Sequence, residues 1–377
     1  MLTLTIVAGS ICATTVLVQV ASALVAVLRM RAVPSRVPVP RHAPAVSLIR
    51  PVCGLENFSE ETLGSAFRLD YPDYEIIFCA EQDNDAIVPV VNRLMAAHPG
   101  VRARLIIGKD RISANPKLNN IVKGWRAAAH DWIVIADSNV LMPRDYIQRL
   151  LATWRPDTGL VCSPPVGCLP DGVFAELECA FLNTYQARWQ CVADSAGYGF
   201  AQGKSMLWRR DLLERAGGIR VLASELAEDA ASTKVVRKLG LRVRIVDRPF
   251  LQPLGRRTAS EVWRRQLRWA RLRRDSFTSL FGLEVFAGSV PALAAGAVAA
   301  SAAGLPVMPC LLALGAVWYA AEAWLCLAAG WQLSRRSPLI WLMRDLLLPV
   351  LWGASWLGRD FVWRNTPMRI ADRGRNA

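Results

Sequence analysis

Lysine and histidine are scarce in this chain. Only six of its 45 cationic residues are lysines, and the histidines number three, at positions 42, 98 and 130. Nine cysteines, an odd number with no C-x-x-C spacing, make neither a disulfide framework nor, with so few histidines, a zinc set. They read as small buried apolar residues in a reducing compartment. No G-x-G-x-x-G follows the first predicted strand and no G-x-x-x-x-G-K-[ST] occurs, so the fingerprints of a dinucleotide fold and of a P-loop NTPase are both missing. Charge is absent altogether from Met1 to Leu28.

What is there is apolar and basic at once. The 377 residues are 53% hydrophobic, yet 45 Lys plus Arg stand against 31 Asp plus Glu, a net charge of +14. That pairing excludes a disordered chain and argues against a plain soluble enzyme. It points to a membrane protein with a basic cytoplasmic side, whose arginines suit phosphates and lipid headgroups.

The uncharged start exceeds the roughly 20 residues that cross a bilayer. Arg29, Arg31, Arg36 and Arg41 follow it rather than precede it, so residues 1–28 read as a retained anchor with its N-terminus outside and the rest inside. Residues 285–333 read as a transmembrane hairpin turning at Gly304 to Pro309, with Glu322 facing protein. The segment 338–357 contains Arg344, Asp345 and Pro349 and is followed by Arg359, Arg364, Arg369, Arg373 and Arg375. A full crossing would put this basic tail, residues 358–377, outside; a re-entrant or interfacial segment is expected, with a fourth span as the alternative.

Residues 43–260 alternate strand-like and helix-like patterns, as in a layered α/β domain. Strands are expected at Val46 to Ile49, Tyr74 to Ala80, Ala103 to Ile107, Trp132 to Ala136 and Leu160 to Cys162, and helices at Ser59 to Arg68, Ala86 to Ala97 and Leu118 to Ala129. Ligands of such sheets meet the carboxyl ends of the strands. There the second strand runs into Glu81-Gln82-Asp83-Asn84-Asp85 and the fourth into Asp137-Ser138-Asn139. An acidic crevice of this kind repels a sugar nucleotide unless a divalent cation or cationic side chains intervene. Asp83 and Asp85 could equally cap a helix, whereas Asp137, next to a buried strand, needs a partner. Lys117, on a loop entering a helix, suits a diphosphate. Glu228-Asp229 could cap the helix that follows, but with no histidine well placed Asp229 is the candidate general base.

Eight arginines fall between 256 and 274, interleaved with Trp263 and Trp269. Over 260–283 this is a basic interfacial helix, which nucleic acid, anionic lipid or a substrate phosphate would each explain. Arg265, Arg268 and Trp269 share one helical face and can present two guanidiniums and a ring to one ligand.

Taken in order, VSLIRPVCGLE, LDYPDYEIIFCAEQDNDA, ARLIIGKDRISANPKLNN, IADSN, LAEDA and Arg265-Gln266-Leu267-Arg268-Trp269 resemble the ceramide glucosyltransferases, glycosyltransferase family 21 of the inverting GT-A enzymes. The resemblance runs from Val46 to Trp269 and more loosely into Phe361-Val362-Trp363-Arg364. It implies a GT-A (nucleotide-diphospho-sugar transferase) mixed α/β sheet domain with N- and C-terminal transmembrane helices. It also implies that Asp85 meets the nucleotide, Asp137 holds Mg²⁺ or Mn²⁺ at the diphosphate, Asp229 is the general base, and Arg265, Arg268 and Trp269 hold diphosphate and acceptor near the membrane. Departures are Asn84 where some relatives carry a second Asp, the lack of a full D-x-D at Asp137-Ser138-Asn139, and a histidine of some relatives replaced near Gln186.

The expected activity is transfer of a hexose, glucose by the resemblance, from a UDP-sugar to the primary hydroxyl of ceramide, giving a β-glycolipid at a bacterial inner membrane. The motifs leave open diacylglycerol or a hopanoid lipid as acceptor, and a non-catalytic, membrane-anchored binding protein is the alternative of another class. No nucleic-acid partner is expected, and the sequence carries no signal for the oligomeric state.

Overall fold

The computed structural model describes residues 1–32, 34–363 and 366–369. The chain divides into two compact units, one of Arg29–Pro170 with Trp189–Gly255 and one of Met1–Leu28, Asp171–Arg188 and Arg256–Ala377.

The first unit is built on a seven-stranded sheet. Its strands in chain order are β1 (Val46–Pro51), β2 (Tyr74–Ala80), β3 (Arg102–Ile107), β4 (Trp132–Ala136), β5 (Thr158–Ser163), β7 (Ser205–Arg209) and β8 (Arg242–Ile245), while β6 (Val166–Asp171) and β9 (Leu251–Arg256) form a separate pair. The spatial order β3-β2-β1-β4-β7-β5-β8 reverses direction of growth between β1 and β4, the place where open α/β sheets keep their ligand crevice. β1 to β4 are parallel, and β1, β2 and β4 are apolar runs buried on both faces, as parallel strands covered by helices must be. The expected strands all form. The sequence pattern did not reveal β7, which inserts antiparallel between β4 and β5.

Two cores flank the sheet. Leu48, Ile76, Phe78, Val134 and Leu207 pack on one face with Leu63, Val91 and Ile147; Ile49, Ile77, Ile135, Met206 and Trp208 pack on the other with Leu118, Ile121, Trp125 and Val236. Alternate residues of each strand thus serve opposite cores, the period-2 rule of the pleat. Gly124 is needed on the second side, since a Cβ there would lie 2.7 Å from the Ile49 side chain and 2.8 Å from Cys79 Sγ.

The second unit is helical and apolar. Three described helices, Leu2–Arg31, Val307–Ala329 and Ser337–Trp356, are long and apolar enough to cross a membrane, and a fourth crossing exists if Thr278–Phe286 and Ser289–Ala302, bent by 49°, count as one. Alone, the 14-residue Ser289–Ala302 helix reaches only about 21 Å, short of the roughly 30 Å hydrocarbon core. The segment 181–187 between Val173–Ala180 and Arg188–Ser195 is a turn of π-helix. The arginine helix, Ala259–Ser276, starts with a capping box in which Thr258 and Glu261 satisfy each other's backbone N–H groups.

Charges inside this unit are matched. Arg344 is held by both Glu322 oxygens at 2.8 Å and by Asp345 at 2.9 Å, and donates to Thr184 Oγ1 at 2.6 Å. Glu322 also accepts from Gln19 of the first helix at 3.1 Å, and Gln19 accepts from Arg188. Glu322 therefore faces protein, as expected of an ionisable group in an apolar helix. The charges of 338–357 that argued against a crossing are paired internally. At its C-terminal end the Ser337–Trp356 helix meets the arginine helix, where Arg274 donates to the Ser355 carbonyl and Arg271 to the Asp360 carbonyl. At its N-terminal end Ser334 Oγ donates to Glu176 at 2.7 Å. Of the tail, Arg364, Arg373 and Arg375 lie outside the described residues.

Candidate active site

Asp137 follows β4 directly, and β7 fixes its surroundings. The antiparallel ladder pairs Ala136 with Ser205, and one step further the Asp137 N–H donates to the Lys204 carbonyl at 3.0 Å. From the other side, Arg50 of β1, fully buried, donates to the carbonyls of Asp137, Ser138 and Val140 at 2.9, 3.1 and 3.3 Å, and to that of Thr62 at 2.9 Å. Burial lowers the Arg50 guanidinium to about 10, against the pull of Tyr146 and Asp137. The loop after β4 is thus held by its own carbonyls, leaving the Asp137 carboxylate for the crevice.

That carboxylate is bracketed by two ammoniums. Lys117 Nζ lies 2.7 Å from one oxygen and Lys204 Nζ 2.9 Å from the other. Lys117 is aimed by its helix start: Asn115 caps Pro116–Ala127 by accepting from the Lys117 and Leu118 N–H groups at 2.9 and 3.2 Å, and Pro116 occupies the first turn. The Asn115 amide then donates to Glu228 at 2.7 Å, and Lys117 reaches Glu228 at 2.6 Å and the Gly203 carbonyl at 2.6 Å. Burial opposes the charged forms, but the ion pairs outweigh it: Asp137 is held well below the usual carboxylate range and Lys117 is raised above its ordinary value.

Asp229 opens the Glu228–Lys238 helix, but it is more than a cap. One oxygen accepts the Ala230 N–H at 2.8 Å and the other the Gly203 N–H at 3.1 Å. Burial, and next the adjacent Glu228 charge, raise its carboxyl to about 6, against Lys117 and the two N–H groups. Gly203 is therefore shared, its N–H by Asp229 and its carbonyl by Lys117. A Cβ at Gly203 would lie 2.9 Å from Glu228 Oε1 and 3.0 Å from Lys117 Nζ, so a larger residue there would push these two side-chain ends aside.

Asp85 holds the loop after β1. Its carboxylate accepts the Gly54 N–H at 2.8 Å and the Ile87 N–H at 3.0 Å, with Gly54 at a φ of +62° that favours glycine. Two residues on, Glu56 accepts from the Asn139 amide at 3.0 Å, and Asn139 Oδ1 accepts from Lys204 at 3.1 Å. The structure thus connects Lys117, Asp137 and Asp229 in one polar network, with Glu228 and Asn115 built in, while Asp85 holds the neighbouring Gly54 loop and bonds to none of them directly. Sequence reasoning missed Lys204 and Arg50: the first is recruited by a strand it did not see, and the second lies inside a strand.

Arg265, Arg268 and Trp269 lie together on the arginine helix of the second unit, all half-buried. Arg265 is ion-paired with the buried Glu178, which also faces Arg257 at 3.4 Å. Gln186, in the π-helical turn, donates to Gln266 of the same motif at 3.0 Å.

For a divalent cation, the donor set is spare. Among the described residues no three His, Cys, Asp or Glu side chains form a metal-holding group. Asp137 supplies hard oxygens, so a cation there needs the rest of its shell from water and from a ligand's phosphates. Three carboxylates, Asp137, Glu228 and Asp229, stand with the two lysines Lys117 and Lys204, so added positive charge is what an incoming diphosphate requires.

Comparison with known proteins agrees with this architecture. A family model described as glycosyl transferase family 21 matches residues 7–376. Ceramide glucosyltransferase 3 of Caenorhabditis elegans is 28% identical over 338 residues, covering 87% of this chain and 73% of the relative. The ceramide glucosyltransferase of Komagataella phaffii is 25% identical over 425 residues, covering 88% and 84%. Among solved structures, the mannosyltransferase PcManGT of Pyrobaculum calidifontis, in complex with GDP-Man and Mn²⁺, superposes with a TM-score of 0.50 at 19% identity, covering 90% of this chain and 99% of its own. That likeness is one of fold.

Proposed function

The chain belongs to glycosyl transferase family 21, and from that premise we propose that this membrane glycosyltransferase moves glucose from UDP-glucose to the primary hydroxyl of ceramide with inversion at the anomeric carbon. The observation that carries the reading is Gly203, whose N–H holds Asp229 and whose carbonyl holds Lys117. Base and phosphate-binding cation are kept one residue's width apart, as a single displacement between hydroxyl and leaving diphosphate needs.

Asp229, with its carboxyl raised to about 6, is ionised at neutral pH yet basic enough to take the proton of the attacking hydroxyl. Its two backbone donors fix the carboxylate before substrate arrives. Lys117 presents positive charge where the diphosphate leaves, and Asp85 holds the Gly54 loop against which the nucleotide sits. Asp137 is the residue that would hold Mg²⁺ or Mn²⁺, which when bound draws negative charge from the departing diphosphate. For Arg265, Arg268 and Trp269 the support is the family motif, which assigns them to diphosphate and acceptor. A binding-only role leaves the raised carboxyl of Asp229 without a task.

The lipid acceptor agrees with the second unit. The Ser337–Trp356 helix lies in the membrane interface with both ends on one side. Its support is that its C-terminal end is tied to a helix carrying six arginines, which does not cross a bilayer, and that basic residues flank both ends, Arg335 and Arg336 before it and Arg359 after it. Leu339, Leu346 and Val350 form its exposed apolar stripe. The catalytic domain is then cytoplasmic and the N-terminus outside, at a bacterial inner membrane.

The test is to incubate the purified protein in ceramide-containing bilayers with UDP-glucose and identify the product by mass and anomeric configuration. A β-glucosylceramide supports the proposal; transfer only to diacylglycerol corrects the acceptor; no transfer from any UDP-sugar refutes it.

A further inference from the structure

Two of the six lysines in the chain converge on one carboxylate. Lys117 lies in one of the segments that carry the family resemblance, whereas Lys204 lies outside them. We propose that Lys204 is a binding residue for the donor's diphosphate, the second ammonium of a two-lysine clamp; this rests on the reading of the crevice as a nucleotide-sugar site.

Three observations carry the inference. First, position: the Lys204 carbonyl takes the Asp137 N–H as a continuation of the β4–β7 ladder, so the register that seats β7 also seats Lys204 at the carboxyl edge of the sheet. Second, orientation: Asn139 donates its amide N–H to Glu56, which turns its carbonyl oxygen toward Lys204 at 3.1 Å, and Asp137 takes the same ammonium at 2.9 Å. The lysine is steered from two sides and its side chain is 13% exposed, neither sealed in the core nor loose in solvent. Third, charge: the single Asp137 carboxylate faces two ammoniums, at 2.7 and 2.9 Å, and Lys117 is shared with Glu228. Two lysines thus meet at the Asp137 end of the site, away from the base Asp229.

A diphosphate is the ligand class that such an end fits. A lysine ammonium is a compact point charge with three donors on a flexible stem, able to turn from a carboxylate oxygen to a phosphate oxygen without moving the backbone. Charge-assisted bonds to phosphate oxygens are among the stronger polar contacts, and uridine or its ribose offers nothing comparable. Lys204 should discriminate nucleoside diphosphate from nucleoside.

Calorimetric titration of the full-length protein with UDP and with uridine tests this. For Lys204→Met, UDP affinity should fall about 10-fold or more while uridine affinity stays as in the unaltered chain, and Lys204→Arg should retain most UDP affinity. Retained uridine binding shows that the variant is folded. Equal UDP affinity in Lys204→Met and the unaltered chain, or a parallel loss of both ligands, would overturn the assignment of Lys204. Failure of the unaltered chain to bind UDP contradicts the donor-site reading itself, and is distinguishable from either.

Discussion

The Asp229 carboxylate accepts the backbone N–H of Gly203 at 3.1 Å, a bond that ties the start of a helix to the turn before β7. Because the Gly203 carbonyl accepts from Lys117 in the same place, the base and the cationic side of the crevice have one common support. The chemistry assigned to this chain depends on that support, and so do the first two predictions.

Replacing Gly203 by alanine puts a methyl group 2.9 Å from Glu228 Oε1 and 3.0 Å from Lys117 Nζ. The Asp229 oxygen, at 3.5 Å, is in ordinary contact, so the change falls on Lys117 and Glu228. Steady-state kinetics of Gly203→Ala should show a kcat/KM loss of about 10-fold, below the roughly 100-fold that a full 1 Å displacement of reacting groups costs. Unchanged kinetics would mean that the place of Lys117 and Glu228 against this turn does not matter to the reaction.

The pH profile of kcat/KM should have an acidic limb near 6, with activity rising as Asp229 loses its proton. Burial and then the Glu228 charge raise this carboxyl, so Glu228→Gln removes the second cause and should move the limb to lower pH. A limb that stays in place in that variant contradicts the assigned base.

Much of this site is legible in the sequence, and its gaps have physical causes. Asp137 stands out because Ile133-Val134-Ile135-Ala136 must be buried and a carboxylate directly after it must have a partner. Lys117 stands out because Asn-Pro before it marks a helix start. Lys204 is 67 residues beyond Asp137, and only the antiparallel register of β4 with β7 brings them together. Arg50 is hidden for another reason: its role is to bind backbone carbonyls, and which carbonyls curl back over β1 is not a property of local pattern. In the membrane unit, Arg344 and Asp345 are conspicuous as charges, whereas their match to Glu322 depends on packing between distant helices.

Divalent cation binding should depend on nucleotide. Both Asp137 oxygens are engaged by lysines, so Mn²⁺ titration monitored by electron paramagnetic resonance should give little binding to the protein alone and clear binding with UDP present, lost in Asp137→Asn. Equal Mn²⁺ affinity with and without UDP would contradict this.

Removing Arg344 takes from the buried Glu322 and Asp345 the cation to which both are hydrogen-bonded. Arg344→Met should cost about 3–5 kcal/mol, seen as a lowered Tm in detergent, whereas adding Glu322→Gln and Asp345→Asn to it should restore much of the loss. A single variant as stable as the parent would show that the cluster is not the lock its geometry describes.

Cysteines introduced at Arg335 and at Leu357, in a background cleared of other reactive thiols, should be labelled by an impermeant reagent from the same face of the membrane. Labelling from opposite faces would make Ser337–Trp356 a full crossing and refute its interfacial placement.

The most direct test of the central claim compares the unaltered chain with Asp229→Asn in single-turnover transfer from UDP-glucose to ceramide in bilayers, alongside UDP affinity. The expected result is a β-linked product from the unaltered chain and a transfer rate lower by about 100- to 10,000-fold in the variant, with UDP affinity little changed. Transfer by Asp229→Asn at the parent's rate, or an α-linked product, would contradict Asp229 as the base of an inverting displacement.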